Sequence, residues 1–509
     1  MKILTTSQIR ALDAYTIAHE PVSEIKLMER AAEAFVSAFA ASHTRSAPIH
    51  VFCGKGNNGG DGLAIARLLK TSWRKVHLYV LDTGKKSSPC FDTNLNRLRS
   101  RIKVNYIKRE SDIPTIDSYD TVIDALYGTG FKGELTGLSA ALVSAINASG
   151  ATVYSVDVPS GLDGGLAPVV PLLAVKADVV FTFHAPKLAF LLPEFADFVR
   201  SFQVLDIGLS SVSSPEFQSE FDYVEHIWIE FFLRKVSKFN HKGKNGHALI
   251  AAGSFGKAGA AVLAVKAALR SGAGLVTALV PNCAYQIMQT TNPEAMAMVS
   301  GEHELQTIPA LSSFNAVGAG PGMGKSRSAL NFLKALLDKS DGPLVLDADA
   351  LNLLSENKKL LNKLPPGTVL TPHPGEFKRL AGEWKNDVER LELQRSFSNK
   401  YNVVVVLKGA HTTITNPKGP VWFNSTGNAG MAKGGSGDVL TGIIAALLAQ
   451  EGYSSSTAAL VGVYVHGFAG DIAKQSVGET ALQASDIIAH LPKAFRLIEN
   501  SVKAWRGID

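Results

Sequence analysis

The stretch from residue 424 to residue 450 reads NSTGNAGMAKGGSGDVLTGIIAALLAQ. Its first part is rich in glycine, and its second part, residues 439–448, is apolar apart from Thr441 and Gly442. A glycine-rich turn that leads into an apolar helix brings free backbone N–H groups and the positive end of the helix dipole to one point. That point suits an anion, so the pattern predicts a site for a nucleotide phosphate at the start of this helix.

Asp438 stands where the turn meets the helix. The helix dipole would keep its carboxylate ionised, and the residue would then act as a base towards a hydroxyl beside the bound phosphate. Aspartate is also a common helix N-cap. Taken alone, the stretch leaves both interpretations open.

The whole chain has 509 residues, which is too many for one compact core, so we expect at least two domains. Hydrophobic residues make up 46% and charged residues 19%, as in a globular protein. The 51 basic and 45 acidic residues are scattered, and this balance favours neither anionic small molecules nor nucleic acid. Because no basic and aromatic residues interleave as in single-strand binders, we expect no nucleic-acid partner.

The three cysteines, Cys53, Cys90 and Cys283, are far apart and form no CxxC pair. The first ten residues, MKILTTSQIR, lack the apolar core of a secretory signal. The apolar runs are interrupted by Pro, Gly or Lys before they reach the length of a membrane span. We therefore expect a cytoplasmic protein with no membrane segment, and we also expect a homo-oligomer.

The first predicted domain covers residues 1–212. Residues 7–41 read as two helices separated by Pro21, and we interpret both as packing elements without a chemical role. A strand at 49–53 then leads into GKGNNGGDG, residues 54–62, and a helix at 63–70. This matches the GxGxxG turn of dinucleotide-binding folds, with Asp82 in the position of the ribose carboxylate.

The same glycine turn carries polar residues that a dinucleotide fold does not need, namely Asn57, Asn58 and Asp61. Such groups suit a hydroxylated substrate or a hard cation. Two further predicted strands end in Asp124 and Asp157, and the loops of parallel strands meet at one edge of the sheet. Asn58, Asp124 and Ser160 would then supply oxygens to one cation. Each Asp alone also reads as a turn residue, but three such loops in one domain disfavour that interpretation.

The segment 210–220, SSVSSPEFQSE, is the predicted linker. The second predicted domain, residues 222–509, again alternates strands with helices, which indicates an α/β fold. Each half is long enough to bury its own core. We therefore expect a chain that ends near Ser213 and a chain that starts near Phe221 to fold and work independently.

Polar residues follow several strands of the second domain. The segment GAGPGMGKS at 318–326 resembles a P-loop, but Ala319 replaces a required glycine and Pro321 lacks an N–H group, so we reject that assignment. His373 lies between two prolines, which holds it extended. Phosphotransferases typically combine a lysine, a histidine, carboxylates and a glycine-rich turn. The second domain offers this combination in Lys408, His373, the acids of DADALN at 347–352 and the turn at Asp438.

The motifs together resemble a known family. The first half, through NNGGDG, DALYGTGFKGE and VDVPSG, resembles the NAD(P)H-hydrate epimerase domain, a Rossmann-like three-layer fold. The second half resembles the ADP-dependent NAD(P)H-hydrate dehydratase, a ribokinase-like fold, through motifs that include GPGMG, TPHPGE, KGAHT and GGSGDVLTG. In this order, and over nearly the whole chain, they are similar to the bifunctional NAD(P)H-hydrate repair enzymes.

The resemblance implies specific roles for residues in both domains. In the first domain the hydrated nicotinamide nucleotide would be bound by Asn57, Asn58, Gly59, Gly60, Asp61, Gly128, Thr129, Gly130, Phe131, Lys132, Gly133, Glu134 and Asp157. Potassium would be bound by Asn58, Asp124 and Ser160. In the second domain the hydrate would be bound by Ala260, Gly322 or Gly324, His373 and Asp438. The ADP or AMP moiety, used with Mg²⁺, would be bound by Lys408, Gly409, Ala410, His411, Thr412 and Gly437. Asp157 and Asp438 are the expected catalytic residues.

In the implied chemistry, the substrate is a reduced nicotinamide cofactor with an added water on its ring. The first domain would interconvert the two epimers, and the second would phosphorylate the hydroxyl from ADP and eliminate phosphate. Two alternatives stay open. One is a ribokinase-like vitamin kinase fused to a nucleotide-binding domain, and the other is a non-catalytic first domain like those of RNA-decapping scaffolds, against which the intact Asp124 and Asp157 argue.

Overall fold

The computed structural model of the protein describes residues 1–20, 22–43, 47–72, 75–98, 102–209, 215–235 and 237–506. The chain divides into two compact units, Met1–Ser219 and Glu220–Asp509. Across the described ranges, no helix is both long enough and apolar enough to cross a lipid bilayer.

The first unit is a parallel sheet covered by helices on both faces. Its strands are β1 (Ile49–Cys53), β2 (Val76–Leu81), β3 (Val104–Ile107), β4 (Thr121–Ala125), β5 (Thr152–Val156), β6 (Val179–Phe183) and β7 (Phe202–Leu205). Its helices are α1 (Thr6–His19), α2 (Glu24–Ser42), α3 (Asn57–Ser72), α4 (Pro89–Leu98) and α5 (Gly137–Ala148). One buried cluster joins the sheet to α2, α3 and α4, and another joins it to α5.

The strand order is β3-β2-β1-β4-β5-β6-β7, with every pair parallel. Strands β1 and β4 are buried at every residue, because helices cover both faces of the sheet at this point. After β1 the chain adds β2 and β3 on one side of the sheet, and after β4 it adds β5, β6 and β7 on the other side. The carboxyl ends of these two strands therefore flank the switch point at which open α/β sheets bind ligands.

The glycine segment after β1 differs from the sequence-based expectation. Helix α3 begins at Asn57, so Asn57–Asp61 form its first turns, whereas a loop was predicted up to residue 62. The glycines allow this because the helix packs very close to the sheet. A Cβ at Gly59 would lie 1.8 Å from the carbonyl oxygen of Gly54, and one at Gly62 would lie 2.5 Å from the Cβ of Ala125.

The end of the first unit also differs from the prediction, which placed it at residue 212. Residues 210–214 of the predicted linker lie outside the described residues, but the part from Pro215 to Ser219 is docked on α1. The Phe217 side chain is buried against Leu4 and Leu12. The Gln8 side chain donates hydrogen bonds to the carbonyl oxygens of Glu216 and Gln218, at 3.0 and 2.9 Å. This serine-rich segment therefore belongs partly to the first unit.

The second unit is a larger sheet, again with helices on both faces. Its strands are β8 (Phe221–Tyr223), β9 (His247–Ala251), β10 (Leu275–Val280), β11 (Met296–Val299), β12 (Ala316–Ala319), β13 (Leu344–Leu346), β14 (Val369–Leu370), β15 (Val404–Leu407), β16 (Thr413–Thr415) and β17 (Val421–Phe423). Its helices are α6 (His226–Phe232), α7 (Ala258–Leu269), α8 (Asn282–Thr291), α9 (Arg327–Lys339), α10 (Asp349–Glu356), α11 (Pro374–Ala381), α12 (Asp387–Tyr401), α13 (Ser436–Ala449), α14 (Ser455–Ala481) and α15 (Ala484–Arg506).

This sheet has the order β11-β10-β9-β12-β13-β14-β15-β16-β17-β8. The seven strands from β11 to β15 in this sheet order pair in parallel. The next pair, β15 and β16, is antiparallel. Successive strands are added on one side of β9 and then on the other side from β12, so the switch point lies between β9 and β12. The segments that follow β9, β12, β13, β14 and β15 therefore lie side by side along one edge of the sheet.

Helix α13, which the glycine-rich stretch precedes, is the central helix of the second unit. All but two of its fourteen residues are buried. Its close packing on α7 needs Gly442, since a Cβ there would lie 2.0 Å from the carbonyl oxygen of Ala264. This packing fixes the position of the helix start relative to the sheet edge.

Candidate functional sites

The first unit contains a cavity of about 1030 Å³ at its switch point. The segments after β1 and β4 form two of its walls, and α1 and α2 form another. Nine residues predicted to bind substrate line it: Asn57, Asn58, Asp61, Gly128, Thr129, Gly130, Phe131, Lys132 and Asp157. Four others do not, namely Gly59, Gly60, Gly133 and Glu134. Gly59 lies against Gly54, and Gly60 lies against the Met28 side chain.

Two of the three residues predicted to bind a cation, Asp124 and Ser160, are in direct contact, and the third, Asn58, lies beside Gly128. The Ser160 Oγ donates a hydrogen bond of 2.5 Å to one carboxylate oxygen of Asp124 and accepts one of 2.8 Å from the Tyr127 N–H group. A Cβ at Gly128 would lie 3.4 Å from the Asn58 Oδ1. The Nδ2 of Asn58 is buried without a hydrogen-bond partner, which marks a polar site that protein groups leave incomplete.

Asp124 is also a structural anchor. Its carboxylate accepts hydrogen bonds from the Ser155 and Ser160 hydroxyls and from the N–H groups of Ser160 and Leu126. Burial raises the pKa of Asp124, and the hydrogen bonds from Ser160, Ser155 and Leu126 oppose that shift. The residue thereby ties the segments after β4 and β5 to each other.

Asp157 forms an ion pair that the sequence analysis did not predict. The Nζ of Lys187, which is fully buried, lies 2.8 Å from the Oδ1 of Asp157. The Thr182 hydroxyl and the Phe183 N–H group donate hydrogen bonds to the same oxygen, each at 3.1 Å. Asp157 also has a φ of 63°, which is strained for a residue with a side chain. The signal in the sequence was a lysine within the apolar run APKLAFLL.

Two more carboxyl groups line the cavity near this pair. Burial raises the pKa of Asp61 well above its usual value, with further contributions from Asp157 and Asp13. Burial also raises the pKa of Asp13 to about 6, with Asp157 adding to the shift and Lys187 opposing it. Asp13 belongs to α1, which the sequence analysis assigned to packing alone. The sequence therefore did not single out Asp13, although it faces the cavity.

Asp82, the expected ribose carboxylate, is engaged by the protein. It forms an ion pair with Lys55 and accepts a hydrogen bond from the Gly84 N–H group, and these contacts lower its pKa. Lys55 lines the cavity, whereas Asp82 is not among the lining residues. Of the two partners in this ion pair, Lys55 is therefore the one that faces the cavity.

In the second unit, charged groups meet at the start of α13. The Lys408 Nζ lies 2.9 Å from the Asp347 Oδ1, and the Thr441 hydroxyl donates a hydrogen bond of 3.0 Å to the other oxygen of that carboxylate. A Cβ at Gly437 would lie 3.2 Å from the Lys408 Nζ and 3.3 Å from the Asp347 Oδ2. The Gly437 backbone therefore lies directly beside this ion pair. The N–H groups at the start of α13 and Lys408 together form a phosphate cradle, that is, a set of donors that suits a phosphate.

Asp438 lies in the first turn of α13, and Gly435 occupies the N-cap position. The N-cap interpretation of Asp438 was therefore wrong. Burial raises the pKa of Asp438 to about 6, so the carboxylate is a stronger base than the helix dipole alone would make it. Asp347 and Asp349 add to that shift, and Lys408 opposes it. The resulting carboxylate is mostly ionised at neutral pH and basic enough to take a proton from a hydroxyl.

The glycine segment after β12 forms another side of this crevice. Gly322 has a φ of 60° and packs on α7, where an added Cβ would lie 3.1 Å from the Ala260 Cβ. The Gly324 N–H group donates a hydrogen bond of 2.9 Å to Asp349, which also forms an ion pair with Lys257. Two of the residues predicted to bind the hydrate, Ala260 and Gly322, thus lie against each other.

His373 is the N-cap of α11 and has extended backbone, as the flanking prolines predicted. Its Nδ1 accepts hydrogen bonds from the N–H groups of Gly375 and Glu376, at 3.0 and 3.3 Å. An Nδ1 that accepts leaves the proton on Nε2, which is therefore a donor at the exposed tip of the ring. The Lys408 N–H group bonds to the Pro372 carbonyl oxygen, which joins this cap to the Lys408 segment.

The KGAHT segment makes a tight turn between β15 and β16. The Thr412 hydroxyl bonds to both the N–H and the carbonyl group of Gly409. The His411 ring contacts the Asn424 carbonyl oxygen at 3.2 Å, and burial lowers the pKa of His411. His466, which no sequence motif singled out, bonds to the backbone of Ser436, the first residue of α13. Burial lowers the pKa of His466 to about 4, so this residue is neutral.

Known proteins resemble both halves of the chain. A family model described as NAD(P)H-hydrate dehydratase matches residues 248–493, and one described as YjeF-related protein N-terminus matches residues 24–189. The bifunctional NAD(P)H-hydrate repair enzyme Nnr of Moorella thermoacetica is 35% identical over 99% of this chain and 98% of its own. The enzyme of that name from Coxiella burnetii is 36% identical over 95% and 97%. A solved ADP/ATP-dependent NAD(P)H-hydrate dehydratase from Bacillus subtilis, co-crystallised with ATP and Mg²⁺, is 30% identical over 54% of this chain and 98% of its own, with a TM-score of 0.47.

The two α/β folds, each with carboxylates gathered at a sheet edge, define an enzyme with two separate sites. The similarity over nearly the full length of both chains then identifies the family: this chain belongs to the bifunctional NAD(P)H-hydrate repair enzymes. The predicted fold class, an N-terminal Rossmann-like domain and a C-terminal ribokinase-like domain, is confirmed.

Proposed function

We propose that the first unit interconverts the R and S epimers of hydrated NADH and NADPH, and that the second unit converts the S epimer back to the reduced cofactor with ADP. Family membership supports both activities. The observation that carries the second one is Asp438, a raised-pKa carboxylate beside the Gly437 backbone and the Lys408–Asp347 ion pair. This arrangement offers a base next to a phosphate cradle.

In the second unit, Lys408 and the backbone of Gly409–Thr412 and Gly437 would bind the phosphates and nucleoside of ADP. Asp438 would take the proton from the ring hydroxyl while that oxygen attacks the terminal phosphoryl group. Lys408 and the N–H groups at the start of α13 would stabilise the charge on the transferring phosphoryl oxygens. Once phosphorylated, the ring oxygen leaves as inorganic phosphate while the lone pair of the ring nitrogen forms a carbon–nitrogen double bond. Loss of a proton from the adjacent carbon then restores the double bond of the reduced ring.

The hydrate itself would lie against Ala260, Gly322, Gly324 and His373. The Nε2–H group of His373 is oriented by its own capping hydrogen bonds, so it would act as a donor to the substrate. Mg²⁺ would be bound mainly by the nucleotide phosphates, with the Asp347 and Asp349 carboxylates in the same crevice. Oxygen ligands of this kind suit Mg²⁺, which neutralises phosphate charge when it is bound.

In the first unit, potassium would be bound by Asn58, Asp124 and Ser160. One carboxylate, one hydroxyl and one amide oxygen are hard donors that suit an alkali cation, and the partnerless Nδ2 of Asn58 fits an amide turned with its oxygen towards an ion. The ion would orient the segments that contact the substrate. Asp157, in its ion pair with Lys187, would act as a base towards the water that adds to the epimerised carbon.

The substrates are small molecules, and the three thiols are free, which suits a reducing cytoplasm. The cytoplasmic location and the homo-oligomeric state stay predictions. The vitamin-kinase alternative predicts a different product. We therefore propose to incubate the protein with the S epimer and ADP and to quantify the products. Repair yields one AMP and one inorganic phosphate for each NADH, whereas a stable phosphorylated product without NADH would contradict the assignment.

A further inference from the structure

Helix α1 contributes polar groups to the cavity of the first unit. The family model begins at residue 24, so it does not cover this helix. Arg10, Asp13, Ala14 and Ile17 face the cavity from successive turns of α1. The first half of the helix is fixed by two sets of contacts. A capping box between Thr5 and Gln8 holds its start, and the Phe217 cluster packs along it. A side chain on such a helix is positioned accurately enough to act on a substrate.

The proposed epimerisation inverts a carbon that carries a hydroxyl and adjoins the ring nitrogen. The carbon–oxygen bond breaks as the nitrogen lone pair forms a carbon–nitrogen double bond, and the hydroxyl takes a proton and becomes water. Water then adds to the opposite face of that carbon and loses a proton. No oxidant or reductant is involved, and the atoms balance. The step needs one group that gives a proton and one that takes it, and the reverse reaction exchanges the two roles.

We propose that Asp13 is the second acid–base residue of epimerisation and acts together with Asp157 on opposite faces of the substrate ring. This inference rests on the proposed epimerase function. Asp157 carries the charge of the ion pair with Lys187 and is the proton acceptor. Asp13 lines the same cavity without a lysine bonded to it. In this mechanism one carboxyl group gives a proton while the other takes one, and the reverse reaction exchanges the two roles.

The charges around Asp13 support its role as the donor. Burial, the nearby Asp157 and Glu24 all raise its pKa, and Lys187 lowers it, to give about 6. A group with that pKa gives and regains a proton readily near neutral pH. Asp61 is less suitable, because burial raises its pKa well above its usual value, which makes it a weaker proton donor.

The test measures epimerisation by the full chain in both directions, with dehydration of the S epimer by the same protein as an internal control. Asp13→Asn should lower the kcat of epimerisation by about 10²-fold or more, the scale of general acid–base catalysis, and leave dehydration unchanged. Asp112→Asn is the control, since that carboxylate lies outside the cavity in an ion pair with the exposed Arg109, and it should keep the epimerase rate. The wild type should lose rate above about pH 6 as Asp13 ionises, and the remaining activity of Asp13→Asn should lack that alkaline limb.

A merely structural role for Asp13 would not move the pH profile. Asp13→Glu restores the carboxyl group and should recover part of the rate together with an alkaline limb, which keeps the test decisive if Asp13→Asn folds poorly. The inference is overturned if Asp13→Asn retains the wild-type rate and profile, or if Asp13→Glu recovers the rate without the limb. If the wild type itself does not epimerise the hydrate, the proposed function fails instead.

Discussion

Replacement of Asp438 by asparagine should move activity and stability in opposite directions. The substitution keeps the shape of the side chain but removes the base. Dehydration should therefore fall by about 10²-fold to 10⁴-fold, which is about 3 to 5 kcal/mol of transition-state stabilisation. Epimerisation by the same chain should be unchanged, because the residues that line its cavity belong to the first unit.

The effect on stability follows from the pKa of Asp438, which burial raises from 3.8 to about 6. A carboxyl group whose pKa is raised in the folded state stabilises the fold fully below its unfolded pKa, and that stability is lost as the pH rises through the folded pKa. At pH 7 the ionised carboxylate then costs about 3 kcal/mol relative to a neutral group. Asp438→Asn should remove this cost, so the second unit should melt a few degrees higher above pH 6 and equally below pH 4.

The assays are recovery of reduced-nicotinamide absorbance from the S epimer with ADP, and thermal unfolding at several pH values. Asp338→Asn is the matched control, since that carboxylate is exposed in an ion pair with Lys363 and should change neither quantity by much. The wild-type rate should also fall about tenfold per pH unit well below pH 6 as Asp438 becomes protonated. A variant that dehydrates at nearly the wild-type rate and is less stable would reduce Asp438 to a structural residue.

Three further substitutions or truncations test other parts of the account. Asp124→Ala should remove the potassium dependence of epimerisation and destabilise the first unit, because four hydrogen bonds are lost; equal wild-type rates in potassium and in a large organic cation would refute a cation site. Gly437→Ala should raise the KM for ADP by about tenfold or more, on the scale of one lost charge-assisted contact. Gly434→Ala should leave this KM unchanged, because an added Cβ there meets no atom within 4 Å. A chain of residues 1–219 should epimerise the hydrate without ADP. A chain of residues 1–213 should be less stable, because it lacks the Phe217 contact and the partners of Gln8. Equal melting temperatures of the two chains would contradict a stabilising role for the docked segment 215–219.

The sequence predicted the features that depend on local pattern. The strand that contains Asp124, the strand that ends before Asp157, the helix after the glycine-rich stretch and the extended backbone at His373 all follow from periodicity, glycine and proline. Parallel strands then bring their carboxyl ends to one edge, which is why several site residues could be gathered without coordinates.

What the sequence did not predict depends on burial and on contacts distant in the chain. The pKa of Asp438 is set by the desolvation around it and by Asp347, not by the helix dipole that its position suggested. Asp13 reached the cavity because α1 packs beside it, although its own helix reads as ordinary packing. Lys187 gains its role from a partner thirty positions earlier, Asp157, which a pattern search along one segment does not reveal.

The most direct test of the central claim uses the full chain and an equal mixture of the two hydrate epimers. With ADP, the wild type should recover all of the reduced-nicotinamide absorbance, and without nucleotide it should recover none. Asp157→Asn should recover the S half rapidly and the rest only at the slow rate of spontaneous epimerisation. Rapid recovery of both halves by Asp157→Asn, or recovery by the wild type without nucleotide, would contradict the assignment of successive epimerisation and dehydration to the two sites.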